Sequence, residues 1–318
     1  MIKIYCSPLK RGDGDDGFLP EIKTECHEMV NLLLSDAERS PFLSQLRSEK
    51  IAGNISSTVM HQVNRAVQYL LVISPDVDTR KFVSICFRRT PALFPNWLRT
   101  LTLPDPKPSF SCLSAFSLIA FMLSNGPEVC LRDVRKLEKG DKKKAYDILI
   151  ANVVPRALTK NIFTKAIQSP NPFMVVETLK LLSAVLKRFK TFATSTFGEG
   201  SQKLEYLAEK LAVRMPDLQV LLAIRSKFDP YEKNPKNGDS QLYRYHSFVT
   251  MNFCEVLSLY TSIFPNAFKT VQFEWVKLLS DSSETFLSAP LSLQHRLLLT
   301  VSAIYNCYEV RDDIHIGL

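Results

Sequence analysis

The sequence predicts an all-α fold, and three observations support this prediction. Glycine is scarce, at 10 of 318 residues, so the glycine-rich turns that separate short strands are few. Apolar residues recur with the helical period along most of the chain, whereas no span of comparable length alternates strictly between apolar and polar residues. Helix boundaries also share a proline-containing pattern. We therefore expect a succession of helices around a core, for which an apolar fraction of 46% is ample.

Each predicted helix is a segment whose apolar residues recur at intervals of three or four residues. In chain order the predicted helices are 18–34, 55–73, 78–89, 108–124, 141–154, 156–168, 172–190, 201–214, 217–228, 241–264, 266–279 and 290–308. We expect a flexible N-terminal segment over 1–17, a single helical-repeat domain over 18–310, and a polar loop within it over 229–240.

The boundary pattern consists of an apolar residue shortly before a proline, with Asp or Asn directly after the proline. It occurs in ISPDV at 73–77, LFPNW at 93–97, RMPDL at 214–218 and IFPNA at 263–267. The residue before proline avoids the helical region, and Asp or Asn can cap the next helix, so the pattern predicts a helix end followed by a helix start. Pro170, Pro216 and Pro265 are spaced by 46 and 49 residues, near the period of two-helix HEAT or armadillo-type repeats.

The helix predicted over 172–190 indicates how the helices pack. Asn171 and Pro172 predict its cap and first turn, and its apolar residues span an arc of roughly 200°. So wide an arc needs neighbours on more than one side, as in an inner helix of a stacked array or the central helix of a bundle. Because helix–proline–helix units recur, we favour the array, a HEAT/armadillo-like α-solenoid, over the bundle.

No catalytic, cofactor-binding or metal-binding site has a local signature in the sequence. The five histidines are remote from one another, and no second histidine or cysteine follows any of them at metal-binding spacing. The stretch FGEGSQK at 197–203 contains G-x-G but lacks the third glycine and the GK[ST] ending of nucleotide-binding loops. We expect no enzyme, no cofactor and no metal. The alternative is an enzyme whose residues are distant in sequence, since a spatial triad leaves no local trace.

Cysteine usage and hydropathy indicate the compartment. The seven cysteines are scattered, odd in number and never paired as C-x-x-C, which is typical of reduced thiols in the cytosol or nucleus. The longest apolar run, CLSAFSLIAFML at 112–123, is too short to cross a bilayer. We therefore expect no membrane insertion.

Positive charge is concentrated in one stretch, residues 132–190, which we call the basic segment. It contains 14 Lys and Arg against five Asp and Glu, a net charge of +9, whereas the whole chain carries +8. The remaining residues together carry −1. Such a concentration is expected if the basic segment faces a polyanion.

Two cation clusters in the basic segment are candidate contacts to RNA phosphate. The alternatives are a solvated surface for the first cluster and an interaction with the helix dipole for the second. Each phosphate contact adds salt-sensitive, sequence-independent affinity. Aromatic residues, namely Tyr146, Phe163, Phe189 and Phe192, interleave only weakly, so we expect backbone binding without sequence readout. The candidate contacts are Arg135, Lys136, Lys139, Lys142, Lys143, Lys144, Lys187, Arg188 and Lys190.

Several segments resemble a known family in one register, through helix patterns rather than an invariant catalytic motif. They are KFVSICFRRTPALFPNWLRTLTL at 81–103, TKNIFTKAIQSPNPFMVVETLKLLSAVLKRFKTF at 159–192, RMPDLQVLLAIRSKF at 214–228, HSFVTMNFCEVLSLYTSIFPNAF at 246–268 and FEWVKLL at 273–279. Together, over roughly residues 60–300, they are similar to the nucleolar pre-ribosomal-associated protein 1 family.

This resemblance implies a large, non-enzymatic helical-repeat scaffold of the nucleus and nucleolus. Family members take part in assembly of the large (60S) ribosomal subunit and maturation of its rRNAs, so the expected partners are pre-60S assembly factors, including a DEAD-box helicase. Pre-rRNA is a candidate ligand. Members are much longer than 318 residues, so we expect a fragment or a short member. The alternative function is a HEAT-type adaptor in transport or signalling that binds no RNA.

Overall fold

A computed structural model describes residues 77–89, 91, 93–127, 142–197, 201–228, 240–269, 271, 278–279, 286–287 and 289–309. Helix covers 80% of these residues and none of them lies in a strand, which confirms the all-α prediction. The segment 1–17, the helices predicted over 18–34 and 55–73, and the loop over 229–239 lie outside the described residues.

The described helices mostly match the predicted segments to within a few residues. They are α1 (Val77–Arg89), α2 (Leu93–Thr100), α3 (Phe110–Asn125), α4 (Lys142–Val153), α5 (Lys160–Ile167), α6 (Pro172–Phe197), α7 (Gln202–Ala212), α8 (Leu218–Lys227), α9 (Ser240–Ile263), α10 (Pro265–Lys269) and α11 (Leu291–Glu309). In the segment predicted over 266–279, α10 forms the beginning and residues 272–277 lie outside the described part.

The helix α2 corrects one prediction from the boundary pattern. In LFPNW, a helix end and a new start were expected around Pro95, but α2 begins at Leu93 and runs through the proline. Pro95 is therefore in the first turn, where a helix does not need the missing N–H group. A proline in this pattern can begin a helix as well as separate two helices.

The described helices divide between two compact units. The first unit contains α1 and α2, which pack through the rings of Phe87, Phe94 and Trp97; the Phe87 centroid lies 5.2 Å from that of Phe94 and 5.3 Å from that of Trp97. The second unit contains α3 as far as Ser124 and all the helices from α4 to α11. The single domain over 18–310 stays a prediction, because residues 1–76 lie outside the described part.

The helix α6 lies at the centre of the second unit and begins as the sequence predicts. The Oδ1 atom of Asn171 accepts hydrogen bonds from the backbone N–H groups of Phe173, at 2.9 Å, and Met174, at 3.3 Å, with Pro172 in the first turn. The helix continues beyond the predicted end at 190 because Phe192 and Ala193 still face the core.

The predicted wide apolar arc of α6 is confirmed by its neighbours. This helix packs against α4, α5, α7 and α9. Its residues buried in these contacts include Val175, Leu179, Leu182, Val185, Leu186 and Phe189. Phe173 differs from the prediction, since its side chain is 48% exposed and packs edge-on against Tyr245 of α9, with ring centroids 4.8 Å apart.

The long helices α6, α9 and α11 form a row in which α9 packs against both of the others. Their contacts, in order along the helices, are Phe173 with Tyr245, Lys180 with Phe248, Lys187 with Glu255, Glu255 with Arg296, Ser258 with Thr300, and the Thr261 carbonyl with Cys307. Residue numbers rise together on both sides of each pair of helices, so the three helices run parallel.

The shorter helices form two further parallel pairs. In the pair α4 and α7, Tyr146 contacts Tyr206 near the helix starts, and Arg214 donates to the Val154 carbonyl just past the helix ends. In the pair α5 and α8, Lys160 contacts Asp217 at the starts, and Lys227 donates to the carbonyls of Gln168 and Ser169 at the ends.

The three regularly spaced prolines do not occupy equivalent positions. Pro170 lies just before the long helix α6, whereas Pro216 precedes the short helix α8 and Pro265 begins the short helix α10. The spacing of 46 and 49 residues therefore does not mark one repeating element. What recurs along this unit is the contact between two parallel helices, as in α4 with α7, α5 with α8 and α6 with α9.

Candidate nucleic-acid interface

The first predicted cation cluster lies at the beginning of α4. Lys142, Lys143 and Lys144 form its first turn, whereas Arg135, Lys136 and Lys139 lie outside the described residues. The N-terminal end of a helix carries a partial positive charge, which disfavours cations in the first turn. Helix stability therefore does not account for three consecutive lysines at this position.

Arg188, from the second cluster, makes its described contacts inside the protein. Its Nε atom donates to the carbonyl of Asn152 at 3.1 Å, and its Nη1 atom donates to the carbonyl of Leu123 at 3.2 Å. These carbonyls belong to the last turns of α4 and α3, where backbone acceptors lack helical partners. Burial lowers the pKa of the Arg188 guanidinium to about 10, so it remains a cation at neutral pH. Arg188 thus joins two helix ends to α6, a role that the sequence did not indicate.

Lys187 forms an ion pair with Glu255 of α9, and the other carboxylate oxygen of Glu255 lies 3.9 Å from Arg296 of α11. Burial alone would raise the pKa of Glu255, but the hydrogen bond and charge of Lys187, together with Ser183 and Arg296, hold it below its ordinary value. The ionised carboxylate therefore connects three parallel helices. Part of the positive charge of Lys187 is neutralised within the protein.

Lys190 is exposed on α6, and no ion pair to it is seen among the described residues. The described part of the first cluster, the first turn of α4, does not lie beside the second cluster. Arg188 contacts the end of α4 at Asn152, whereas the lysines from Lys142 onward begin that helix. At 1.5 Å per residue, these two ends of α4 are about 15 Å apart.

An aromatic cluster lies instead beside the beginning of α4, and we define it as Tyr146 of α4, Phe197 at the end of α6 and Tyr206 of α7. The Tyr146 ring centroid is 5.3 Å from that of Tyr206 and 6.4 Å from that of Phe197. The Nζ atom of Lys203 lies 5.8 Å from the Phe197 centroid, and that of Lys210 lies 5.5 Å from the Tyr206 centroid.

Sequence reasoning identified only Tyr146 of this cluster. The basic segment does not include Phe197, Tyr206 or the two lysines. Tyr146 contacts Phe197 and Tyr206 across 51 and 60 residues of sequence, and contacts between such distant residues leave no local pattern. The other aromatic residues noted from the sequence, Phe163, Phe189 and Phe192, are buried in the core.

Two of the described cysteines have strongly raised pKa values. Burial raises the pKa of Cys86 and of Cys254 to about 12, so both remain thiols at neutral pH. Cys112 is buried as well, and none of the described cysteines forms a disulfide.

The described residues contain no group of side chains typical of a metal site and no helix typical of a membrane span. Among them, no three His, Cys, Asp or Glu side chains are grouped so that they could hold a metal ion. None of their helices combines the length and apolar character that a membrane span requires.

Comparison of the chain with protein-family models, with curated proteins and with solved structures gave no match. The candidate interface is therefore defined by its own residues: the lysines that begin α4 and the adjacent aromatic cluster with Lys203 and Lys210.

Proposed function

We propose that this chain is a non-enzymatic α-solenoid scaffold in nucleolar assembly of the large ribosomal subunit. It would bind protein partners among the pre-60S assembly factors, and pre-rRNA through the phosphate backbone. The family resemblance over roughly residues 60–300 supports the cellular setting. The net charge of +9 on the basic segment supports a polyanionic ligand.

One observation carries the scaffold proposal: two successive helix triplets pack on each other helix by helix. The triplet α4, α5 and α6 contacts the triplet α7, α8 and α9, and each helix lies parallel to its counterpart. The paired contacts are Tyr146 with Tyr206, Lys160 with Asp217, and Lys180 with Phe248. This arrangement supports a stack of armadillo-like units over a bundle, in which sequential neighbours commonly run antiparallel.

The spacing of these contacts also supports a repeated unit. Contacting residues are 60 apart between α4 and α7, and 57 apart between α5 and α8. Between α6 and α9 the separation rises to 68, and residues 229–239, which lie outside the described part, come between α8 and α9 in the chain. The helices α10 and α11 continue the row, since α11 packs against α9 and α10 contacts both.

In a stacked array each unit contacts only its neighbours, which leaves long surfaces for large ligands. Lysines that begin α4 add their charge to the positive end of the helix dipole. That combination favours an anion without requiring a particular base sequence, which fits contact with an RNA backbone.

The salt dependence of RNA binding tests this proposal. Filter binding of the full chain to a structured RNA is measured across a salt series, for wild type and for the triple variant Lys142→Gln, Lys143→Gln and Lys144→Gln. The slope of log K against log salt should flatten by about 2 to 3 in the triple variant if all three lysines contact phosphate. The control variant carries Lys81→Gln and Lys107→Gln, which lie outside the basic segment, and should keep the wild-type slope. Absence of RNA affinity even at low salt would refute the RNA contact.

An adaptor that binds proteins but no RNA is the second candidate function. It is favoured by exposed apolar side chains on α9 and α11, namely Phe248, Leu298 and Leu299. Localisation of a tagged chain separates the two candidates. A nucleolar pattern is expected for the ribosome-assembly scaffold, and a cytoplasmic pattern would favour the adaptor.

A further inference from the structure

The aromatic cluster presents one exposed ring that is supported by a buried ring. Tyr146 is only 8% exposed and packs against Tyr206, whose side chain is 37% exposed. Phe197 approaches Tyr146 edge-on, with an interplanar angle of 65°. Because Tyr206 already packs on its neighbour, a ligand that contacts it would immobilise little additional side-chain freedom.

Two lysines contact rings of this cluster. Lys210 lies over the ring of Tyr206, and Lys203 lies over that of Phe197. The first turn of α4 adds Lys142, Lys143 and Lys144 two to four residues before Tyr146. The acidic residues exposed on the same two helices are Asp147, Glu205 and Glu209. By sequence, the two helices together carry five lysines and three acidic residues, a net positive charge.

Aromatic rings flanked by cations bind single-stranded nucleic acid because every base has a face that can stack, while the cations contact adjacent phosphates. We propose that the aromatic cluster is a stacking site for unpaired bases of single-stranded RNA, with Tyr206 as the stacking ring and Lys203 and Lys210 as phosphate contacts. This inference rests on the proposed RNA-binding function and adds that binding includes bases as well as the backbone.

Two probes separate base stacking from backbone binding. Both probes carry fluorescein and have about 12 nucleotides, a length within the span of known single-strand sites. One is oligouridine, and the other is an abasic oligonucleotide. Fluorescence anisotropy gives the affinity of the full chain for each probe. Wild type should bind oligouridine more tightly than the abasic probe, since only oligouridine can stack.

Three variants identify the stacking residue. Tyr206→Leu keeps an apolar side chain against Tyr146 but removes the ring, and should weaken oligouridine binding by about 5- to 150-fold without affecting the abasic probe. Tyr206→Phe keeps the ring and should bind as wild type does. Tyr305→Leu is the matched control, because Tyr305 is 44% exposed on α11, and it should leave both affinities unchanged. Circular dichroism verifies that each variant is folded.

Each outcome decides the inference. Equal affinity of wild type for both probes would overturn the stacking site while leaving salt-dependent backbone binding, and so the proposed function, in place. Unchanged oligouridine affinity in Tyr206→Leu, or a loss in Tyr206→Phe as large as in Tyr206→Leu, would also overturn it. Absence of binding to either probe and to structured RNA would refute both the stacking site and the proposed RNA contact.

Discussion

Replacing Arg188 with methionine tests whether this residue joins helix ends rather than binding RNA. The substitution keeps an unbranched apolar stem but removes the guanidinium that donates to the carbonyls of Asn152 and Leu123. Both carbonyls would lose a charged donor at the ends of α4 and α3. We expect Arg188→Met to lower the free energy of unfolding.

The magnitude follows from two opposing contributions. Hydrogen bonds from a charged donor stabilise by about 1.5–3 kcal/mol each, so the loss of two costs about 3–6 kcal/mol. Burial lowers the pKa of Arg188 from 12.5 to about 10, so the folded state disfavours the cation and its removal recovers about 3 kcal/mol. Taking the middle of the hydrogen-bond range, about 4.5 kcal/mol, the expected net loss is about 1.5 kcal/mol.

Urea unfolding followed by circular dichroism measures this loss as a lower midpoint at constant slope. Lys190→Met is the matched control, because Lys190 is exposed two residues further along α6, and it should change stability by less than about 0.5 kcal/mol. An Arg188→Met midpoint as close to wild type as the control would refute the reasoning. At temperatures where both are folded, Arg188→Met should keep wild-type RNA affinity, and a loss there would show that Arg188 contacts phosphate.

Three further predictions concern contacts within the second unit. The pKa of Glu255 lies below its ordinary value of 4.5. The ionised carboxylate therefore contributes its full stabilisation of the fold above about pH 4.5, and this contribution is lost as the pH falls through the folded-state pKa. Urea midpoints measured from neutral pH to about pH 3 should therefore fall less steeply for Glu255→Gln than for wild type, and equal slopes would contradict this. Tyr260→Phe removes a buried hydrogen bond of 3.0 Å to the Pro216 carbonyl and should cost about 1–2 kcal/mol in urea unfolding; a change below about 0.5 kcal/mol would mean that water replaces the hydroxyl. Lys227→Met removes the exposed donor to the end of α5 and should cost about 0.5–1 kcal/mol in urea unfolding. This is less than the cost of Tyr260→Phe, because the Tyr260 hydroxyl is buried. A larger cost for Lys227→Met than for Tyr260→Phe would contradict this explanation.

Local chemistry made several helix boundaries predictable from the sequence. Asn171 caps α6 as expected because the cap and Pro172 lie next to the helix that they begin. Where the same pattern occurs in LFPNW, Pro95 lies inside the helix, since flanking residues decide whether a proline begins or separates helices. Asp217 lies at the N-cap of α8 but its carboxylate contacts Lys160 instead of capping the helix.

The candidate interface was less predictable because its residues are distant in sequence. Charge counting identified the lysines that begin α4, but it could not show that Arg188 turns inward or that Lys187 pairs with Glu255. Both depend on which helix packs beside α6. Tyr206 likewise comes next to Tyr146 only because α7 lies parallel to α4.

Co-purification tests the central claim most directly. A tagged chain is expressed in its own cells and isolated at moderate salt, and the RNA and proteins retained with it are sequenced. The proposed scaffold predicts enrichment of large-subunit pre-rRNA together with pre-60S assembly factors, and reduced rRNA recovery when Lys142, Lys143 and Lys144 are replaced with glutamine. Retention of transport or signalling proteins without rRNA would contradict the proposal.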